Sequence, residues 1–203
     1  FKVMRGLVEK LRADGMSIER LDLGGGLGVP YFNEPDPPSP AEYAAMVNRF
    51  TDGLDIALAF EPGRMIAGNA GVLLSRVIRM QERPQRPILV LDAGMNDLLR
   101  PAMYEAFHEI RAVRAPGEAR HVYDVVGPIC ETGDTFARNR TLPPLAAGDL
   151  VAFLTAGAYG ATMASTYNAR ELVAEVLVRG DRFDVVRRRW TVEEQMALET
   201  IPE

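Results

Sequence analysis

The sequence predicts two parts: an α/β segment that forms the final part of a (β/α)8 barrel, over residues 1–71, and an all-β domain over residues 72–203. Three observations predict it. Helical and strand-like patterns alternate over the first part, in the order helix, strand, helix, strand. Both apolar runs of that part end in loops rich in glycine or proline, Leu23-Gly24-Gly25-Gly26-Leu27-Gly28 and Phe60-Glu61-Pro62-Gly63-Arg64. After about Gly71 the pattern changes to short β-rich runs separated by turn signals.

Met4, Leu7, Val8 and Leu11 recur at helical spacing, and Gly15 is the stop. A strand over 18–23 leads into the glycines, and 33–40 is a proline-rich loop. Ser39-Pro40-Ala41-Glu42 reads as a capping box with proline at the first helical position. Tyr43, Met46, Val47, Phe50 and Leu54 form the buried stripe of that helix, and a strand over 56–60 follows. In the second part the β-rich runs are 72–80, 88–91, 121–126, 150–155, 172–178 and 183–186, a spacing that suggests a sandwich or barrel. Arg179-Gly180-Asp181 lies between two of them and reads as a hairpin turn rather than an adhesion tripeptide. Thr191-Val192-Glu193-Glu194 is a second capping box, so a short helix ends the chain.

The 203 residues are 47% hydrophobic and 25% charged, an ordinary globular balance with enough chain to bury a core. A formal net charge of -5 argues against nucleic-acid binding by phosphate neutralisation. Arg187-Arg188-Arg189 reads as a solvated strand end. No apolar run approaches the ~20 residues of a membrane span. The single cysteine, Cys130, precludes an internal disulfide and suits a reducing compartment. No metal site is expected.

The chemistry is read first from the two loops. Gly24, Gly25 and Gly26 let the backbone approach an anion closely and aim N–H groups at it. Counting G-x-G-x-x-G from Gly24 puts Val29 at the third glycine, so a dinucleotide fingerprint is unsupported. Alone, the triple glycine reads equally as a tight turn, and Glu61 with Arg64 as a surface pair. Together, at the ends of successive strands, they form a phosphate cup with a carboxylate beside it. In (β/α)8 barrels a phosphate commonly binds beyond the last two strands. Three further polar clusters lie in the β part, at 92–104, 127–134 and 157–170. Each alone reads as a polar loop; several in one domain suggest a surface that faces a ligand.

The motifs LDLGGGLGVPY, FEPGRMIAGNAG, LDAGMNDLLRPAMY, GPICETGD and GAYGATMASTYNAR stand in this order along the chain. In them the chain resembles the carboxyl-terminal half of the bacterial diaminopimelate decarboxylases, fold type III pyridoxal-phosphate enzymes, over essentially all its residues. The resemblance implies a cytoplasmic homodimer that shares active sites across its interface and makes lysine from meso-2,6-diaminopimelate. It implies that Gly24, Gly25, Gly26, Gly63 and Arg64 hold the phosphate of pyridoxal 5'-phosphate, and that Glu61 pairs with the pyridine nitrogen. Arg64, Arg100 and Tyr104 would grip the distal carboxylate of the substrate, for which an arginine fork is suited. Cys130 would protonate the carbon after carbon dioxide leaves, and Glu131 would read the distal amino group, both in the partner's site. Tyr159 would touch cofactor and substrate. His108 and His121 match no catalytic position and are left as structural.

The family attaches its cofactor through a lysine on an early barrel strand and stacks a histidine on the ring. This chain has only Lys2 and Lys10, both in the opening helix pattern. The chain is therefore expected to be part of a longer enzyme and inactive alone. An ornithine or arginine decarboxylase of the same fold is the nearest alternative; those relatives tend to carry Asp after the interface cysteine, where Glu131 stands here. A non-catalytic homologue that binds a partner protein is the other, and it would have little reason to keep Glu61, Arg64, Cys130 and Tyr159 together.

Overall fold

The computed structural model describes residues 1–114 and 119–202. They form two compact units, Phe1–Ala70 and Gly71–Glu203.

The first unit runs α1 (Lys2–Ala13), β1 (Arg20–Asp22), α2 (Pro40–Thr51), β2 (Ala57–Ala59) and α3 (Gly63–Ala67), then a 3₁₀ turn at Gly68–Ala70. β1 and β2 are parallel, with Arg20 opposite Ala57 and Asp22 opposite Ala59. Parallel neighbours need a crossover, and α2 lies in it. α2 starts on the expected capping box: Ser39 Oγ accepts from the Glu42 amide at 3.2 Å, and Glu42 Oε2 accepts from the Ser39 amide at 2.8 Å. Val8, Leu21 and Leu54 form the core, with Met4, Ile18, Leu23, Ile56 and Leu58 against it. The Arg12 guanidinium donates to the carbonyls of Ile18 and Asp55, at 2.6 and 3.1 Å, fastening α1 to the start of both strands. Two details differ from expectation. Both strands are only three residues long. Leu54 is buried from beyond α2, which ends at Thr51 before Gly53 turns the chain at φ 74°, and Leu7 is exposed.

The second unit runs β3 (Leu73–Gln81), β4 (Ile88–Leu91), α4 (Arg100–Tyr104), β5 (Ile110–Ala112), β6 (His121–Val126), β7 (Thr135–Leu142), β8 (Leu150–Phe153), α5 (Gly160–Met163), β9 (Glu175–Arg179), β10 (Arg182–Arg187) and α6 (Val192–Met196). Six strands make one mixed sheet in the order β5-β8-β3-β4-β6-β7. Every neighbouring pair is antiparallel except β4 and β6. That parallel pair again demands a long crossover, and α4 and β5 lie in it. The two edge strands approach each other. Arg140 Nη1, on β7, donates to the His108 carbonyl at 3.0 Å, just ahead of β5. The sheet is thus curled into a nearly closed barrel, the second of the two expected architectures. Its interior holds Val77, Leu89, Leu91, Val125, Val151 and Phe153. Phe136 packs on Phe153 with ring centroids 4.6 Å apart.

The expectation of an all-β unit needs correcting. Short helices interrupt it, and β5 and β7 were not among the expected strands. β9 and β10 form a separate antiparallel hairpin, with Arg179 opposite Arg182 and Gly180 at φ 64° in the turn. The tripeptide at 179–181 is therefore that turn. The basic run after it is ion-paired: Arg187 meets Glu175 at 2.5 Å, Arg188 meets Glu194, and Arg189 meets Glu171 at 3.7 Å. The Arg188 hydrogen bond holds the Glu194 carboxyl down to about 2. Thr191 and Glu194 form the capping box expected for the terminal helix.

Candidate functional site

In the first unit the two glycine-bearing loops leave the same edge of the parallel pair. The ladder continues into them: the Leu23 amide donates to the Ala59 carbonyl at 3.0 Å, and the Glu61 amide to the Gly24 carbonyl at 2.8 Å. Asp22 Oδ1 accepts from the Gly24 amide at 2.7 Å and turns the chain. Gly24 and Gly26 have φ of 67° and 91°, conformations that glycine adopts without strain. Gly25 is required for a different reason: a Cβ there would stand 2.6 Å from the Glu61 carbonyl oxygen. Pro62, at φ −80° and ψ 49°, makes an inverse γ-turn in which the Gly63 amide donates to the Glu61 carbonyl at 2.8 Å. The structure therefore brings Gly24, Gly25, Gly26, Glu61, Gly63 and Arg64 to one edge. It also gives the Gly63 amide an internal partner, so of these glycines Gly25 and Gly26, both exposed, are the better anion donors. The donor set fits a phosphate beside a carboxylate. Lys2 and Lys10 both lie on α1, and neither stands on these loops.

In the second unit three loops are laced together by side chains from residues far apart in sequence. The loop after β4 carries Asn96, Asp97, Arg100 and Tyr104; the loop after β6 carries Cys130 and Glu131; the loop after β8 carries Tyr159, Asn168 and Arg170. Asp134 joins the first two. It is buried, and its carboxylate accepts from the Met95 and Ile129 amides, each at 2.7 Å. Burial pushes its pKa up. Arg170 joins the first and third, with Nε donating to Asn96 Oδ1 at 2.9 Å and Nη2 standing 3.7 Å from Asp97 Oδ2. Asp97 is buried too, and burial raises its pKa against the Gly94 amide that bonds it. Asn168 joins the second and third: its Nδ2 donates to Cys130 Sγ at 3.6 Å. Cys130, Glu131, Tyr104 and Tyr159 are exposed.

Arg100 is buried, at the start of α4, with Tyr104 one turn on along the same face. Its Nη1 lies 3.1 Å from His108 Nε2, and His108 Nδ1 lies 3.0 Å from the Leu154 carbonyl. Burial holds the His108 pKa below its ordinary value. His108, expected to be structural, thus lies against a residue of the candidate site. Nothing local announces this, because α4 breaks at Glu105 (φ 52°) between the two. Asp134, Asn168 and Arg170 stood inside the expected motifs without a role; a carboxylate that must find partners once buried is the physical signal Asp134 carried, while Asn168 is exposed and Arg170 only part-buried.

Residues 11–157 match the family described as pyridoxal-dependent decarboxylase, C-terminal sheet domain. The chain is 52% identical over 191 residues to the diaminopimelate decarboxylase of Zymomonas mobilis, covering 94% of this chain and 45% of that protein. It is 50% identical to that of Pseudomonas aeruginosa over 196 residues, covering 97% and 47%. The structure of diaminopimelate decarboxylase from Helicobacter pylori complexed with L-lysine superposes with a TM-score of 0.89 at 38% identity, covering 97% of this chain and 48% of that one. The chain spans about half the length of the curated relatives it matches.

Proposed function

The chain belongs to the pyridoxal-dependent decarboxylase family, and we propose that it forms the carboxyl-terminal half of an enzyme that decarboxylates meso-2,6-diaminopimelate to L-lysine. In this reading the first unit supplies the closing βα units of a (β/α)8 barrel. Pyridoxal phosphate, when bound, supplies the electron sink for the pair left as carbon dioxide departs. The backbone of Gly24, Gly25 and Gly26, with Gly63 and Arg64, holds the phosphate, and Glu61 keeps a proton on the pyridine nitrogen. Arg100 and Tyr104, with Arg64, take the distal carboxylate. Glu131 takes the distal ammonium, and Cys130 delivers a proton to the carbon that has lost its carboxylate. Tyr159 packs against both ligands. The attaching amine lies outside these residues, since neither lysine stands on a βα loop. Cys130 and Glu131 act in the site of a second copy of the chain, and the enzyme is cytoplasmic. Among the described residues no helix is long and apolar enough to cross a membrane.

The observation that carries the reading is the lacing of the Arg100, Cys130-Glu131 and Tyr159 loops into one surface. That surface offers the arginine fork to its own copy's site and the acidic side chain to the second copy's, so a pair of copies matches a substrate end that bears both a carboxylate and an ammonium. An assay of the full-length chain against meso-diaminopimelate, ornithine and arginine tests it. Lysine formed from the first, with little turnover of the others, is expected. Preferred turnover of ornithine or arginine would overturn it.

A further inference from the structure

Arg100 and His108 are both buried, at 6% and 2% exposure. A guanidinium has only donors to offer. His108 Nε2, 3.1 Å from Arg100 Nη1, must therefore accept. The ring's proton then sits on Nδ1, which donates to the Leu154 carbonyl at 3.0 Å. The backbone of the histidine is held as well. Arg140 Nη1 donates to the His108 carbonyl at 3.0 Å, and its guanidinium lies over the Phe107 ring at 4.1 Å. The Leu154 amide donates to the Glu109 carbonyl at 2.8 Å, pairing the residue after the histidine with the end of β8. Five residues beyond Leu154 stands Tyr159. His108 thus spans the gap between the arginine of α4 and the strand that launches the Tyr159 loop.

We propose that His108 is a positioning residue: it accepts one N–H of Arg100 and so sets the direction in which the rest of the fork meets the distal carboxylate of the substrate. This rests on the reading of Arg100 as the carboxylate anchor. An arginine has five N–H groups and a flexible stem, and anchoring one group from behind lowers the cost of aiming the others.

Two substitutions separate aiming from scaffolding. His108→Asn keeps a donor near the Nδ1 position for Leu154 and removes the acceptor for Arg100. His108→Gln reaches the Nε2 position with an acceptor. In the full-length protein carrying pyridoxal phosphate, H108N is expected to raise KM for meso-diaminopimelate at least ~10-fold, the scale of a lost hydrogen bond to a charged group. Its kcat should change less and the cofactor's absorbance band should stay close to wild type, while its thermal midpoint should fall only modestly, because a buried donor loses its acceptor. H108Q should recover most of the lost affinity. Equal KM in H108N and wild type, with Arg100→Ala raising KM, would overturn the inference while leaving the anchor in place. An unchanged KM in Arg100→Ala would overturn the anchor itself, and the inference with it. Loss of thermal stability and cofactor in H108N, without a selective rise in KM, would identify a purely structural histidine and also overturn it.

Discussion

The Asp134 carboxylate lies directly against the Cα of Gly127, where any Cβ would overlap it. Seven residues apart, the two close the loop that presents Cys130 and Glu131. A glycine allows the carboxylate to sit there, and the carboxylate accepts two amides from two different loops.

Gly127→Ala should therefore expel Asp134 and loosen the Cys130-Glu131 loop. Asp134→Asn, which keeps one acceptor and turns a donor on the other amide, should cost about 1–3 kcal/mol of stability. Denaturant melts of the full-length protein check both, and G127A is expected to be the more harmful.

Gly24 and Gly25 are adjacent but should respond differently. Gly24 has open space and a positive φ, so Gly24→Asn is expected to be mild, because Asn tolerates that region. Gly25→Ala pushes on the Glu61 carbonyl, and overpacking of this kind costs about 1–3 kcal/mol. Since that carbonyl belongs to Glu61, the residue proposed to pair with the pyridine nitrogen, G25A should also weaken retention of pyridoxal phosphate, measured by dialysis and absorbance.

The buried groups set a pH dependence. The His108 pKa is depressed below 6.5, by burial first and by the cationic Arg100 and Arg140 beside it. The unfolded chain then binds the proton more readily, so stability is complete above about pH 6.5 and falls as the pH drops from there toward the folded pKa. Asp97 and Asp134 work the other way: their pKa values are raised above 3.8, so their burial is less costly once they are protonated in acid. His108→Gln should remove only the first effect. Thermal midpoints between pH 7 and pH 5 are expected to fall less in H108Q than in wild type.

The shared-site reading predicts complementation. A Cys130→Ala protein and one whose cofactor-attaching lysine is replaced should each be inactive. Mixed under conditions that exchange subunits, they should regain activity, because a mixed dimer holds one complete site. No recovery, with exchange demonstrated by mass spectrometry, would mean that each site is built from one chain.

Much of the fold was legible where burial and period coincide. β4 and β6 lie at the residues expected, since Leu89, Leu91, Tyr123 and Val125 point inward at every second position. β7 was not legible. Between its buried Phe136 and Leu142 it carries Arg138, Asn139, Arg140 and Thr141, an edge strand whose polar side chains hide the alternation. β5 has only Ile110 in the core. In the candidate site the motifs were visible as motifs, but their mutual ties were not. Arg170 and Asn96 are 74 residues apart, and Arg100 reaches His108 across a helix break. No local period encodes either contact; tertiary folding alone brings them together.

The most direct test of the account is a crystal structure of the full-length protein with pyridoxal phosphate and a diaminopimelate analogue bound. The account predicts the phosphate within hydrogen-bond distance, ~2.7–3.2 Å, of the Gly25 or Gly26 amide, Glu61 on the pyridine nitrogen, and Arg100 on the distal carboxylate. A phosphate bound away from these glycines, or a distal carboxylate held by other residues while Arg100 turns away, would contradict it.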